Sequence, residues 1–351
     1  MAKARLFDLQ ETKGIFQLKG IVTGQNKEAF YKESKTKTRK DFRRVNFGAT
    51  FNEGQTMYVS MQGMPQDKVY FSKQVKKGEK SETVPVAWAD RYTFKREGFR
   101  MIGGNIGVKK TVDEKGNSVN DKKILTDFDA CKEIGENLKD NMSVFIKGKL
   151  EYSSFKTDNG EMKKSTKLIP NQISLCQDIK FADEKFEAVH DFTQTIVFMG
   201  IDQEKENDKA TGRFIVSAKI ITYSTIEDAE FIVTDSTLAN VFRKNLKPYY
   251  ALEVWGKMEV SSQTEEVADE DEWGESNSMS KQNSPVKREF VITGAKKSSV
   301  DKDTYSEELI EAAIMKINNS QNAENDYADG SNEWGNTSSL LDSDDDDEAW
   351  G

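Results

Sequence analysis

The residues of this sequence that could do chemistry are aromatic rings interleaved with cations. The densest run lies at 88–100 and reads WADRYTFKREGFR. Flat rings can stack on the bases of a single-stranded nucleic acid, while Lys and Arg neutralise its phosphates. The run therefore predicts a nucleic-acid contact made of Trp88, Arg91, Tyr92, Phe94, Lys95, Arg96, Phe99 and Arg100. The alternative is that these rings pack together into a small core of their own.

A second group of candidate residues lies earlier in the chain. Alternation at 42–51 places Val45, Phe47 and Phe51 on one face, which we expect to be the buried face. The opposite face of that strand and of the next one, at 56–61, then points to solvent. A cation-rich loop precedes them. The nucleic-acid contacts predicted here are Lys35, Lys37, Arg39, Lys40, Phe42, Arg44 and Tyr58, and further cations along the chain add Lys109, Lys110 and Lys147.

Catalytic chemistry is poorly supplied. The one histidine, His190, lies between the two halves of the chain, and the two cysteines have no close spacing for zinc. The glycine-rich segment 103–111 lacks the residue order of a phosphate-binding loop. The sequence therefore predicts a protein that is not an enzyme and that needs neither a metal ion nor a cofactor.

The net charge of −9 conceals a division between the two halves of the chain. Residues 1–180 hold 35 Lys and Arg against 23 Asp and Glu, a net charge of +12. Residues 181–351 hold 16 against 37, a net charge of −21. A basic half joined to an acidic end indicates a polyanionic ligand and a tail that can compete with it.

Apolar runs are short throughout the sequence. None approaches the roughly 20 residues that cross a bilayer, and no apolar run follows the first cations as in a secretory signal. We therefore expect a cytoplasmic protein without membrane partners, located in the host cytoplasm if it is viral.

An internal repeat is the most informative feature of the sequence. Residues 138–154 align without a gap to residues 246–262, with seven of seventeen positions identical. Both segments alternate as strands, and both carry a glycine, Gly148 or Gly256, on the inward face. Glycine there permits the tight bend of a barrel strand. Before each segment lies a helical pattern that opens with capping residues, at 126–138 and 236–246.

The order of elements in each copy predicts the fold class. Three strands, a helix and two strands form the OB-fold, a five-stranded Greek-key barrel. We therefore predict a mainly β chain of tandem OB-fold domains. The predicted segments are a first domain at 1–180 with a basic, aromatic-rich insertion at 62–125, a linker at 181–189, a second domain at 190–300 with an acidic loop at 263–285, a short helix at 301–318 and a disordered acidic tail at 319–351.

Three acidic segments contain the pair Trp-Gly, and two of them lie in the tail. Such segments cannot bury a tryptophan, which is a typical anchor of protein interfaces. The acids could occupy the basic groove, or they could steer the Trp-Gly pair into a replication or recombination protein. The predicted partner-binding residues are Trp273, Trp334, Asp344, Asp345, Asp346, Asp347, Glu348 and Trp350.

The acidic end at 342–350, together with Phe42, Arg44 and Tyr58, resembles bacterial and bacteriophage single-stranded DNA-binding proteins, which combine an OB-fold with an acidic tail closing on an aromatic residue. The resemblance implies binding of intermediates in replication, recombination and repair, recruitment of partners by the tail, and no catalysis. Two barrels, the insertion and the Trp-Gly end differ from the common bacterial pattern. They favour a phage version that is a monomer or a dimer.

Two other functions fit the same pattern. Tandem OB-folds could serve as a protein-interaction adaptor, and OB-folds bind RNA as well as DNA. The sequence does not separate these alternatives from single-stranded DNA binding.

Overall fold

The computed structural model describes residues 5–36, 38–73, 81–157, 160–206, 208–261 and 287–329. Strands dominate these residues, which confirms the predicted mainly β class. In the first half they are β1 (Gly14–Thr23), β2 (Tyr31–Lys35), β3 (Asp41–Asn52), β4 (Gln55–Gly63), β5 (Lys68–Lys73), β6 (Thr83–Ala87), β7 (Phe99–Met101), β8 (Gly104–Gly107), β9 (Lys110–Val112), β10 (Ser118–Asn120), β11 (Lys123–Leu125), β12 (Ser143–Lys156) and β13 (Met162–Leu175), with helix α1 (Asp127–Asn137) before β12. In the second half they are β14 (His190–Glu206), β15 (Lys209–Ile221), β16 (Ile226–Val233), β17 (Ala251–Ser261) and β18 (Lys287–Ala295), with helices α2 (Ser236–Asn245) and α3 (Glu307–Asp329).

Five strands close the first barrel in the order β1-β3-β4-β13-β12. β1 pairs antiparallel with both β3 and β12, and β4 meets β13 in a parallel contact at Val59 and Leu168. Inward residues such as Phe16, Phe47 and Ile146 are 0–1% exposed, because one face of every strand is apolar. This topology is that of the OB-fold.

The second barrel repeats the arrangement with β14-β15-β16-β18-β17. Its parallel contact joins Ile232 on β16 to Val291 on β18. Both helices begin where the sequence predicted. The side chain of Thr126 accepts a hydrogen bond from the Asp129 amide at the start of α1. The side chain of Asp235 accepts one from the Thr237 amide at the start of α2. The repeat in sequence is therefore a repeat of the fold.

The repeated glycine marks a shift of strand register in each barrel. The strand register shifts between Lys147 and Gly148 in one copy and between Trp255 and Gly256 in the other. A Cβ atom on Gly148 would collide with a carbonyl oxygen of the neighbouring strand, and so would one on Gly256. Glycine is therefore required at both positions by a close approach of backbone at a register shift, while the predicted bend stays a prediction.

The two barrels share one sheet. β1 pairs antiparallel with β14, so that Phe16 lies beside Phe192 and both side chains enter the same buried core. One hydrophobic core thus runs through both halves of the described chain. The domain boundaries at 180 and 190 stay predictions, but the halves are packed together far more closely than a linker at 181–189 suggests.

The predicted insertion at 62–125 contains ordered elements. β5, β6 and β7 form a small antiparallel sheet, and β9 and β10 form a hairpin. β8 runs parallel to β13, with Ile106 beside Ile173, so this part of the insertion extends the sheet of the first barrel.

Helix α3 covers one end of the second barrel. Ile310, Ala313 and Ile317 pack with Phe7 and Leu9 from the start of the chain. The helix continues past residue 318, where the sequence predicted its end, to Asp329. No Gly or Pro occurs between residues 307 and 329, so the sequence holds no stop signal near residue 318. The rest of the predicted tail, residues 330–351, lies outside the described residues, as does the acidic loop at 263–285.

Candidate nucleic-acid interface

The outward side of β2, β3 and β4 forms one continuous surface, which we call the barrel-one face. The inward residues Val45, Phe47 and Val59 are fully buried, as predicted. In the sheet, Lys32 of β2 lies opposite Arg44 of β3, and Arg44 lies opposite Gln62 of β4. The cations of β2 and β3 therefore lie in one row across the strands. The barrel-one face consists of Lys32, Arg44, Asn46, Gly48, Thr50, Thr56, Tyr58, Ser60 and Gln62, and it contains no carboxylate.

Phe42 does not have the predicted outward ring. Its residue is 8% exposed, although it has the same strand parity as Arg44. Parity determines the side of a sheet to which a residue points, but it does not show what packs on that side. Phe42 is therefore a core residue, and the prediction of an exposed stacking ring at this position is wrong.

The predicted cations of the preceding loop lie at the tip of the β2–β3 hairpin. Lys35 is exposed and lies 3.8 Å from Asp41, and Lys40 is also exposed. Arg39 has a positive φ of 59° in the turn between the two strands. Lys37 lies outside the described residues. The turn therefore presents three cations to solvent at the end of the barrel-one face.

Tyr58 lies near the centre of the barrel-one face, opposite Gly48. Its ring is covered from the second barrel, since the guanidinium carbon of Arg288 on β18 lies 4.6 Å from the ring centroid. The sequence placed Tyr58 correctly on the outward side. It could not indicate Arg288, because that contact depends on how the two barrels pack.

The corresponding surface of the second barrel has a different charge. Asp228 and Glu230 point outward from β16, and Lys219 pairs with Asp228 at 2.8 Å. Glu230 forms an ion pair of 3.4 Å with Lys164 of the first barrel. The carboxylates on this surface thus neutralise neighbouring cations and would repel a phosphate, in contrast to the barrel-one face.

The rings of the insertion divide into a partly buried group and an exposed group. Trp88, Phe94 and Phe99 pack on a core of Val69, Phe71 and Val86. Phe94 lies 4.7 Å from Phe71 between ring centroids. The alternative of a separate small core therefore fits these three rings, and because they are only partly buried, their role as nucleic-acid contacts stays a prediction. Val69 and Phe71 alternate along β5, so both side chains point to the same side of the small sheet. The rings cover this apolar side and complete the core.

Arg91 and Tyr92 fasten the insertion to helix α1. Arg91 Nε donates to Asp129 Oδ2 at 2.8 Å, and the Tyr92 hydroxyl donates to the same oxygen at 2.7 Å. The Arg91 guanidinium also stacks on Trp88 at 4.4 Å. Burial alone would raise the pKa of Asp129, but the hydrogen bonds from Arg91, Tyr92 and Thr126 outweigh it and the pKa is lowered. Arg91 is therefore a structural residue, whereas the ring of Tyr92 remains 48% exposed.

The solvent side of the small sheet carries an exposed ring that is not among the predicted contact residues. Tyr70 is 53% exposed and is flanked by Pro85 on β6 and Ile102 beyond β7. Lys68 and Arg100 are exposed on the same side. We call Lys68, Tyr70, Pro85, Arg100 and Ile102 the insertion face. Alternation of Val69, Tyr70 and Phe71 was the signal that could have identified it.

The remaining predicted cations lie in three different places. Lys95 is exposed on the insertion, and Arg96 stacks on Phe99 at 4.3 Å while pairing with Glu82 at 3.2 Å. Lys109 and Lys110 are exposed at the base of the β9–β10 hairpin, and Lys110 lines an open cleft of about 500 Å³. Lys147 pairs with Gln17 of β1, away from the β3–β4 surface.

The predicted partner-binding residues lie outside the described residues. They are Trp273, Trp334, Asp344, Asp345, Asp346, Asp347, Glu348 and Trp350. Their role stays a prediction.

His190 lies at the junction of the barrels. Its ring stacks on Phe51 at 4.6 Å and its Nδ1 lies 2.7 Å from the Met258 carbonyl oxygen. Within the described ranges, no group of three or more His, Cys, Asp or Glu side chains could hold a metal ion. Within the same ranges, no helix is long and apolar enough to cross a membrane.

Comparison with known proteins gives one family match and distant similarity to solved structures. No curated protein is significantly similar in sequence. A deletion variant of the single-stranded DNA binding protein from Thermus aquaticus is similar with a TM-score of 0.40 and 10% identity, over 82% of this chain and 94% of that chain. The wild-type protein from the same organism gives 0.38 and 10%, over 81% and 91%. Similarity this distant transfers no function. The model of the YorF family matches residues 73–330, which is most of the chain. The chain belongs to the YorF family.

Proposed function

We propose that this protein binds single-stranded DNA without catalysing a reaction. One observation carries the proposal, namely that the barrel-one face is an outward OB-fold surface with Lys32 and Arg44 in one row and no carboxylate. OB-folds bind nucleic acids on this surface. The equivalent surface of the second barrel carries Asp228 and Glu230, so it serves as an internal contrast.

Stacking and charge together favour a single strand over a duplex. Tyr70 and Tyr92 are half exposed on the insertion, and Arg100 and Lys95 lie on the same small domain. Each stacked base contributes roughly 1–3 kcal/mol, whatever its sequence. In a duplex the bases are already stacked on one another and cannot reach these rings. The strand would cross the barrel-one face and continue onto the insertion face.

The finer proposal concerns the biological role. The protein would coat and protect single-stranded DNA during replication, recombination and repair of a bacteriophage, in the host cytoplasm. Its acidic Trp-Gly segments would recruit replication or recombination proteins. The charge division of the chain, +12 in residues 1–180 and −21 in residues 181–351, supports a tail that competes with DNA for the same cations.

A titration with three polymers tests the proposal. The full chain and a chain ending at Asp329, which keeps helix α3 whole, are titrated with single-stranded DNA, single-stranded RNA and duplex DNA at two salt concentrations. We expect the tightest binding to single-stranded DNA, a steep loss with salt, and tighter binding after truncation. Equal affinity for duplex would contradict the proposal, and preference for RNA would favour the RNA-binding alternative. Absence of binding by both chains would favour the protein-interaction adaptor.

A further inference from the structure

A residue of the second barrel lies on the face of the first. Arg288, the second residue of β18, is exposed, and its guanidinium carbon lies 4.6 Å from the centroid of the Tyr58 ring. Tyr58 points outward from β4, opposite Gly48 and beside Ser60. The cation therefore lies over the middle of the barrel-one face, although it belongs to the other OB-fold.

Several contacts between the barrels fix this placement. β1 and β14 are paired in one sheet, and Phe16 and Phe192 share the core beneath them. The ion pair between Lys164 and Glu230, at 3.4 Å, also joins the barrels. β17, the partner of β18, contacts β4. The packed interface between the two barrels therefore holds Arg288 next to Tyr58.

The contact changes the role that the sequence suggests for Tyr58. A guanidinium that covers a ring leaves less of that ring for a base. A stacked guanidinium keeps its N–H groups at its edge, where they can donate two parallel hydrogen bonds to a phosphate. None of the described residues that make up the barrel-one face carries a carboxylate that would compete for those donors.

The carboxylate nearest to Arg288 along the strand is directed elsewhere. Glu289 is 7% exposed and pairs with Arg213 and Lys287. Neighbouring residues of a strand point to opposite sides, so the Glu289 carboxylate does not lie on the side of Tyr58.

We propose that Arg288 of the second barrel is a phosphate-binding residue of the nucleic-acid site on the first barrel, and that Tyr58 holds its guanidinium in position. This inference rests on the proposed function. It means that the two OB-folds build one site together, and that the first barrel alone has an incomplete one.

Salt-dependent titration of single-stranded DNA tests the inference with a matched control. The variants are R288A, R288K and R243A. Arg243 is also an exposed arginine of the second barrel and lies over a ring, that of Phe214 at 5.6 Å, but it belongs to helix α2. R243A therefore removes the same charge and the same kind of stacking away from the barrel-one face.

We expect R288A to weaken binding about tenfold and to lower the slope of log K against log salt by about 0.7, the value for one phosphate contact on a single strand. R288K should keep the slope, and R243A should behave like the wild type. An unchanged affinity and slope in R288A, with the wild type still binding, would overturn this inference alone. An equal loss in R243A would also overturn it. Absence of binding by the wild type would overturn the proposed function itself.

A double-mutant cycle tests the positioning role of Tyr58. If Tyr58 holds Arg288, the effect of R288A in a Y58L background should be clearly smaller than in the wild type. Additive effects of the two substitutions would show that Tyr58 does not act through Arg288. Thermal unfolding of each variant confirms that the fold is kept.

Discussion

Single residues decide which rings of this protein can meet a base. A base can stack only on a ring with an open face, and Tyr70 and Tyr92 are 53% and 48% exposed. Trp88, Phe94 and Phe99 have their rings against the core of the small sheet. The exposed rings and the rings against the core are both surrounded by cations in the sequence. Exposure of the ring is therefore the property that distinguishes a ring able to bind a base from one that packs in the core.

Replacing Tyr70 with alanine tests this separation. Tyr70→Ala should weaken binding of single-stranded DNA by about 1–3 kcal/mol, which is a factor of about 5 to 160 in Kd, and leave thermal stability nearly unchanged. Phe94→Ala is the matched control, since it removes a ring from the core and should lower the unfolding temperature. A Tyr70→Ala protein that binds like the wild type would remove the insertion face from the site.

Asp129 links the insertion to the first barrel through its charge. Its pKa is lowered from the ordinary value of 3.8, so the folded state favours the ionised carboxylate. A lowered pKa stabilises the fold above pH 3.8, and this contribution is lost as the pH falls through the folded pKa. Asp129→Asn should destabilise the protein by about 1–3 kcal/mol near neutral pH.

Unfolding measured from neutral to acidic pH checks the sign. The difference in stability between the wild type and Asp129→Asn should shrink as the pH falls through the folded pKa of Asp129, which lies below 3.8, because the carboxyl of the folded protein becomes uncharged only there. A constant difference over the whole range would show that the charge of Asp129 does not hold the insertion.

At the scale of elements, local patterns predicted the parts but not their packing. Spacing of Phe128, Cys131 and Ile134 predicted helix α1, and alternation predicted the strands of both barrels. The buried ring of Phe42 could not be predicted, because parity gives a direction and not a neighbour. The insertion core was foreseen only as an alternative, since cations and rings alternate equally well in a core and in a binding surface.

The bend glycines give a prediction about elements. Gly148→Ala should destabilise the fold by about 1–3 kcal/mol, because its Cβ would overlap the Ile169 carbonyl oxygen. Gly200→Ala is the control, since no atom lies within 4 Å of a Cβ at that position of β14. Denaturant unfolding of both variants measures the difference. Equal stability would mean that the shift in register does not need glycine.

The whole molecule depends on the joint between its two barrels. β1 and β14 pair from Gly14 to Leu18, and buried residues of both barrels form one cluster. The sequence showed the duplication clearly, but it could not show this pairing, since an alternating strand can pair on either edge. The same joint brings Arg288 to Tyr58.

A shared core predicts cooperative unfolding. The chain should unfold in a single transition, with calorimetric and van't Hoff enthalpies that agree. Two well-separated transitions would show that the barrels are independent domains. They would weaken the inference that the two OB-folds build one nucleic-acid site together.

The central claim is that nucleic acid lies on the barrel-one face, and added charge on that face tests it most directly. Ser60→Glu places a carboxylate beside Tyr58 on β4. The second barrel already has a carboxylate on its own outward side, that of Glu230 on β16. The control Ser224→Glu adds the same charge to an exposed turn of the second barrel. Fluorescence titration with single-stranded DNA compares the two variants. We predict that Ser60→Glu loses about tenfold or more in affinity and that Ser224→Glu stays near the wild type. Equal affinities of the two variants would contradict the claim.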